Sequence, residues 1–316
     1  MVDIKSMDIK ELTDYIVSLG EKKFRAGQIY DWMHKKLVTS FDEMSNLPVS
    51  LRERLKKECS FTVLKEVTVR VSKLDETRKY LFLLPDGNII ESVYMKYPHG
   101  NSVCVSSQVG CRMGCTFCAS TLDGLLRNLT PAEMLEQVYR IQSSLGKRIS
   151  NLVVMGAGEP MDNYDNLIKF IHMLSDENGL NISQRNITVS TCGIVPNMLK
   201  LADENLSITL ALSLHAPNDE IRKSLMPIAN KYKIEEVLAA CTNYFEKTGR
   251  RVTFEYSLVS GVNDNKEEAK RLIALVKDLK VHINLIPVNP IKERDYKQST
   301  PKAVLEFKNL LEKNNI

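Results

Sequence analysis

Three cysteines stand within eight residues of one another in Val109-Gly110-Cys111-Arg112-Met113-Gly114-Cys115-Thr116-Phe117-Cys118, spaced C-x3-C-x2-C. Grouped thiolates suit a soft metal or an iron–sulfur cluster. Three is the informative number. A 4Fe–4S cluster held by three thiolates leaves one iron open to a further ligand. A closed structural zinc site needs a fourth nearby Cys or His, and none follows at finger-like spacing. Cysteines also pack as small hydrophobes, but three of them beside two glycines make a poor packing pattern.

More polar candidates fall where strand-like runs end. From residue 99 the chain alternates strand, loop and helix, with strand-like runs near Ser102–Ser106, Leu152–Met155, Ile187–Ser190, Ile208–Ser213, Val252–Tyr256 and His282–Ile286. Four of these run into Gly156-Ala157-Gly158-Glu159-Pro160, Ser190-Thr191-Cys192-Gly193, Ser213-Leu214-His215 and Pro287-Val288-Asn289-Pro290. Ligands of parallel α/β folds bind at the C-terminal strand ends. These groups are therefore expected to line one mouth with the cysteine loop. Singly each is weak: a glycine loop is often a turn, and His215 fits a satisfied core histidine equally well.

The elements that must position these groups divide into three stretches. Residues 1–60 read as helices, with Ile9, Leu12, Ile16 and Leu19 at helical spacing and Gly20 ending the run. A second helix centres on Ile29, Trp32 and Met33, and a third carries Leu47, Leu51 and Leu55. Lys22, Lys23, Arg25, Lys35 and Lys36, with Tyr30 and Trp32, form either a phosphate-facing surface or the solvated side of an amphipathic bundle. Residues 61–98 change to a period of two: Val67, Val69 and Val71, then Tyr80, Phe82 and Leu84, then a turn at Pro85-Asp86-Gly87-Asn88 and a strand from Ile89 to Met95. Glu91 shares a face with Val93 and Met95 there. Among apolar neighbours a carboxyl can serve as acid or base, although from spacing alone it reads as an edge residue. Residues 99–316 hold the six strand–helix units. The first helix after the cysteines is marked by Thr130-Pro131-Ala132-Glu133, an N-cap, an N1 proline and a capping-box Glu, with Met134, Val138, Ile141 and Leu145 on one face. Six units are too few for a closed (β/α)8 barrel and suit a partial (βα)6 barrel.

With 316 residues, 43% hydrophobic and 26% charged, the chain has the composition of a globular protein with a substantial core. A net charge of +4 permits a nucleic-acid partner without demanding one. Seven cysteines, the first at Cys59, make no disulfide framework and fit a reducing cytoplasm. No leader-like h-region and no span-length apolar run stands out, so no membrane role is expected.

The chain resembles the radical S-adenosylmethionine (SAM) superfamily, and within it the RlmN/Cfr family of RNA adenine methyltransferases, on the RlmN side. The residues that carry this are Cys104-Val105-Ser106-Ser107-Gln108-Val109-Gly110-Cys111, Arg127-Asn128-Leu129-Thr130, Gly158-Glu159-Pro160 and Ser213-Leu214-His215-Ala216-Pro217-Asn218. The likeness runs from Phe24-Arg25-Ala26 to Asn289-Pro290. It implies an α/β partial radical SAM barrel with an N-terminal helical, RNA-gripping domain and a short β extension. Cys111, Cys115 and Cys118 would hold one 4Fe–4S cluster whose open iron takes SAM. Gly158 and Glu159 would receive the SAM amino group, and Ser190, Ser213, Leu214, His215 and Asn289 would fix the rest of it. Glu91 matches the family's proton acceptor, which overturns the edge-residue reading, and Cys104 matches the cysteine that releases product by forming a disulfide.

The implied reaction is methylation of adenosine C2 in 23S rRNA and tRNA. C2 is not a nucleophile, so it cannot take the methyl group of SAM by direct displacement. The family instead moves a methyl from one SAM to a cysteine, cleaves a second SAM to a 5′-deoxyadenosyl radical, and adds the resulting methylene radical to C2. Two SAM are used per turnover, a flavodoxin-type protein supplies the electron, and the enzyme is expected as a cytoplasmic monomer. The base must leave its stack to be reached. Rival readings are a Cfr-like C8 methyltransferase, another radical SAM enzyme such as a glycyl-radical activase, and a non-enzymatic RNA-binding or electron-transfer protein with a structural metal.

The sequence departs from the family pattern in three places. Ala157 stands where Met is usual and Val288 where an aromatic residue is common. The family's methyl-carrying cysteine lies in a C-terminal Ala-Cys-Gly, which is not found before Asn314-Asn315-Ile316. Cys59, Cys192 and Cys241 read as structural, with Cys192 the nearest to the expected site. These 316 residues are therefore expected to bind cluster and SAM without methylating RNA. Assay of 23S rRNA fragments with the purified chain tests this, and multiple turnovers would contradict it.

Overall fold

A computed structural model describes all residues, 1–316. They form two compact units, one of residues 1–109, 128–157 and 163–187, the other of residues 110–127, 158–162 and 188–316.

The first unit begins with three helices, α1 (Ile9–Ser18), α2 (Phe24–His34) and α3 (Val49–Glu58). Asp8 caps α1, accepting from the Lys10 and Glu11 amides while Glu11 reaches back to the Asp8 amide. Four strands follow: β1 (Lys65–Val71), β2 (Arg78–Leu83), β3 (Ile89–Tyr97) and β4 (Gly100–Val105), joined antiparallel in that order. Then α4 (Pro131–Leu145) returns the chain to β5 (Asn151–Val154), which pairs parallel with β4, and α5 (Tyr164–Ser175) follows. The expected cap of α4 is present: the Glu133 amide donates to Thr130 Oγ1 at 3.2 Å and the Thr130 amide to Glu133 Oε2 at 2.9 Å. Met134, Val138 and Ile141 are buried.

Two expectations need correcting. Tyr30 does not belong to a phosphate-facing surface: it is fully buried, its hydroxyl 3.2 Å from Asp176 Oδ2. The exposed aromatic of α2 is Phe24, beside exposed Lys22 and Lys23. The period of two in β1 does not mark a buried face, since Val67 and Val71 are exposed. The strand lies at the sheet edge and carries an irregularity between Glu66 and Thr68 that breaks the alternation.

A buried ion pair gathers this unit. Lys5 Nζ lies 2.6 Å from Glu136 Oε1 on α4, with both side chains inaccessible, and donates to the Thr62 carbonyl at 3.0 Å. The other Glu136 oxygen accepts the Leu64 amide at 3.2 Å and sits 3.1 Å from Arg140 Nε. Burial pushes the Lys5 ammonium down, and Glu136 opposes that.

The second unit holds four parallel strands, β6 (Ile187–Thr191), β7 (Thr209–Ser213), β8 (Val252–Leu258) and β9 (Val281–Pro287). Helices α6 (Val195–Ala202), α7 (Asp219–Leu225), α8 (Ile234–Thr248), α9 (Lys266–Val276) and α10 (Pro301–Glu312) alternate with or follow them. With β4 and β5, all six strand runs expected after residue 99 are strands. No helix is long and apolar enough to cross a membrane.

Glu136→Gln leaves the Lys5 charge buried without its counter-charge. The expected loss is about 3–5 kcal/mol in chemical denaturation. The double variant Lys5→Met/Glu136→Met should recover much of it; equal losses in both would contradict the ion-pair account.

Candidate active site

The cysteine loop lies in the second unit and has little regular structure of its own. Short strands Gln108–Gly110 and Leu125–Asn128 flank it. The Cys111 amide donates to the Gly124 carbonyl at 2.9 Å. At Gly110, φ is +73°, and a Cβ there would come within 2.0 Å of that same carbonyl oxygen, so only glycine fits. Between the second and third cysteines, the Thr116 amide donates to the Leu225 carbonyl at the end of α7 at 2.9 Å. Thr116 Oγ1 also lies 2.8 Å from the Tyr296 hydroxyl. Thr121 Oγ1 donates to the carbonyls of Cys115 at 3.0 Å and Cys118 at 2.9 Å. Arg112 is ion-paired with Asp162.

No three His, Cys, Asp or Glu side chains are arranged as a single-ion site, and all seven cysteines are free thiols. Burial pushes the Cys111 thiol up to about 11, with Glu159 and Cys118 adding to it and the Met113 amide opposing. Burial, then Cys118, Cys111 and Glu159, push Cys115 up to about 12, while Arg222 pulls it down. Metal charge is what such crowded thiols need to ionise together.

Of the strand-end candidates in this unit, Glu159 acts on the Cys111 and Cys115 thiols and His215 meets Phe117 of the loop. Glu159 is buried. Its Oε2 accepts the Cys192 amide at 2.8 Å and its Oε1 the Met161 amide at 3.0 Å. Burial raises its pKa, and these amides with the Thr191 hydroxyl oppose the rise. Gly158 takes φ +104° beside it. Ser190 and Ser213, on neighbouring strands, bring their hydroxyls within 3.4 Å. The backbone of Leu214 and His215 is held by the Glu255 carbonyl. His215 sits at φ +55°, strained for a residue with a side chain. Its Nδ1 accepts the Ser257 amide at 2.9 Å, and its ring meets Phe117 edge-on at 5.0 Å. Burial and then Arg222 hold it down at about 3. It is thus a neutral imidazole carrying its proton on Nε2. Asn289 lies exposed beyond β9, and Val288 is buried beside Cys192.

Glu91 and Cys104 belong to the first unit. Val93 pairs with Cys104 across β3 and β4, so Glu91, two residues earlier, lies on the same sheet face as the thiol. This face is half-exposed, while Ile90, Ser92 and Tyr94 are buried on the other. Lys79 Nζ, from β2, lies 2.6 Å from the Glu91 carboxylate. Burial pushes Cys104 up to about 11, opposed by the Met155 amide and reinforced by Glu91. Both strands are pinned by buried Gln137 of α4. Its Oε1 accepts Ser92 Oγ and the Ser106 amide at 2.8 Å each, and its Nε2 donates to the Ser106 carbonyl at 3.0 Å.

Sequence reasoning missed Gln137, Lys79, Asn263 and Arg222. Asn263 is buried and donates to the His215 and Ser257 carbonyls at 2.7 Å each. Its place in the turn-rich Gly261-Val262-Asn263-Asp264 was the available signal. Gln137 and Arg222 sit among ordinary helical residues and carry none.

The class is that of the radical SAM proteins. The Radical SAM superfamily model matches residues 105–273, and that of the ribosomal RNA large subunit methyltransferase N-terminal domain matches residues 2–61. A protein of Lachnospira eligens named probable dual-specificity RNA methyltransferase RlmN is 67% identical over 316 residues, all of this chain and 90% of that protein. A Lachnoclostridium phytofermentans protein of the same name is 61% identical over 315 residues, covering 88% of its own length. The crystal structure of a radical SAM methyltransferase from Sphaerobacter thermophilus superposes with a TM-score of 0.96 at 41% identity, over all of this chain and 94% of that one. This chain therefore belongs to the RlmN family of radical SAM RNA methyltransferases, and it has the α/β fold of that superfamily. The family implies a 4Fe–4S cluster and SAM.

Gly110→Ala adds about 1–3 kcal/mol of backbone strain and drives a methyl group into the Gly124 carbonyl. The expected result is a chain with unchanged far-UV circular dichroism that loses most of the iron and sulfide bound after anaerobic reconstitution. Wild-type iron content in this variant would contradict the account of the loop.

Proposed function

We propose that these residues serve methylation of C2 of an adenosine in 23S rRNA and in tRNA through a methyl-cysteine intermediate, the Ala-Cys-Gly that carries the methyl group in the family not being found among them, so that by themselves they bind cluster and SAM without methylating RNA. The observation that carries this reading is the placement of Glu91 and Cys104 on one sheet face, across neighbouring strands. A proton acceptor and a resolving thiol are the two groups needed to finish a reaction in which the base has become linked to the protein. Glu91 takes the C2 proton, with Lys79 orienting its carboxylate. The Cys104 sulfur, as thiolate, then attacks the sulfur of the methyl-carrying cysteine, forming a disulfide while the S–CH2 bond to the base breaks and its electron pair takes up a proton to complete the methyl group.

Cys111, Cys115 and Cys118 hold the cluster, which when bound supplies the electron that cleaves SAM. Glu159 and the Gly158 backbone take the SAM amino group. Ser190, Ser213, the Leu214 backbone and Asn289 contact the remainder, and His215, neutral and fixed through Nδ1, offers an Nε2 donor. The helical segment of residues 1–60, with its exposed lysines and Phe24, grips RNA. This reading includes two SAM per turnover, a flavodoxin-type electron donor and a monomer at work in the cytoplasm.

Two measurements test it. The reconstituted chain, given SAM and dithionite without oxygen, should yield 5′-deoxyadenosine; none formed, with zinc bound instead, would favour a metal-containing RNA-binding module. In cells from which the gene is deleted, mass spectrometry of 23S rRNA and tRNA should show loss of 2-methyladenosine. Loss of 8-methyladenosine would point to the Cfr-like reaction.

A further inference from the structure

Arg222 is the largest of the fully buried side chains, and it has no carboxylate partner. Its Nη2 donates to the Cys192 carbonyl at 2.6 Å and the Ser213 carbonyl at 3.4 Å, and its Nε to the Leu214 carbonyl at 3.3 Å. Its Nη1 is buried with no hydrogen-bond partner. Asp219, on its own helix, is engaged elsewhere: its Oδ1 accepts the Ile234 amide at 2.8 Å. A buried cation that meets only carbonyl oxygens is held at a heavy desolvation penalty unless a negative group joins it.

Its surroundings say what that group is. The helix that carries Arg222 is hydrogen-bonded to the cysteine loop, since the Leu225 carbonyl, three residues on, accepts the Thr116 amide between Cys115 and Cys118. Cys115 and Phe117 pack against the buried cluster of Cys192, Leu225 and Met226. Burial disfavours the guanidinium's charge most, and Cys192, Cys115 and then Asp219 are the groups whose ionised forms would favour it. A cluster ligated by three thiolates brings concentrated negative charge to this loop. Net charge and hydrogen bonding near the sulfurs are among the factors that set the potential of such a cluster.

We propose that Arg222 is a positioning residue whose buried charge is the counter-charge of the iron–sulfur site and raises the potential at which the cluster accepts its electron. The same side chain ties together the ends of β6 and β7, which carry Ser190 and Ser213, so one group links the electrostatics of the cluster loop to the strand ends proposed to hold SAM. This rests on the reading of Cys111, Cys115 and Cys118 as cluster ligands.

The test is an EPR-monitored redox titration of the anaerobically reconstituted chain, with iron and sulfide assayed alongside. Arg222→Gln should shift the midpoint potential to more negative values, and Arg222→Lys should restore most of the wild-type potential. Asp219→Asn keeps an oxygen acceptor for the Ile234 amide and removes an opposing charge, so its potential should shift the other way. This second variant decides the matter if Arg222→Gln does not fold. Variants that load fully and titrate at the wild-type potential would overturn the inference. A wild-type chain that takes up no cluster would instead overturn the reading on which it rests.

Discussion

A short loop cannot hold three thiols in place by itself. It has no ladder of backbone hydrogen bonds, and three ionised sulfurs repel one another. The loop of Cys111, Cys115 and Cys118 is held at its base and at its middle. At the base, Gly110 passes so close to the Gly124 carbonyl that no side chain fits. At the middle, Thr116 bonds to the end of α7, and Thr121 closes on two cysteine carbonyls. These bonds act on backbone, which leaves the sulfurs free for chemistry.

Buried charge is the second theme. Lys5 and Glu136 form a pair that gathers the chain start, residues 62–64 and α4. Such a pair adds little net stability, because desolvation offsets much of the attraction, although removing one partner is costly. Arg222 has no carboxylate partner of this kind, and Glu159 is buried as well. Glu159 is stabilised by backbone amides and Arg222 by backbone carbonyls.

The parts that were legible in the sequence are those whose chemistry is local. The cysteine spacing, the Thr130 to Glu133 cap and the polar ends of parallel strands each lie within a few consecutive residues. The six strands followed because apolar runs bounded by turn residues have few alternatives. The illegible parts depend on distant convergence. Lys5 reads as a solvated lysine until residues 62 and 136 enclose it. Arg222 and Gln137 look like helix-surface residues, and only packing shows them buried. Tyr30 failed in the opposite direction, since an aromatic among lysines suggests a nucleic-acid surface, yet its ring completes a core. Glu91 takes a proposed role only through the family resemblance, because a strand carboxylate has no spacing that separates an edge residue from a base.

The central claim is that three thiols hold a cluster with an iron open to SAM. The most direct measurement is the EPR spectrum of the reconstituted, reduced chain before and after addition of SAM. The account predicts the signal of a reduced 4Fe–4S cluster that changes in shape when SAM binds. A cluster signal indifferent to SAM, or a chain that holds only zinc on Cys111, Cys115 and Cys118, would contradict it.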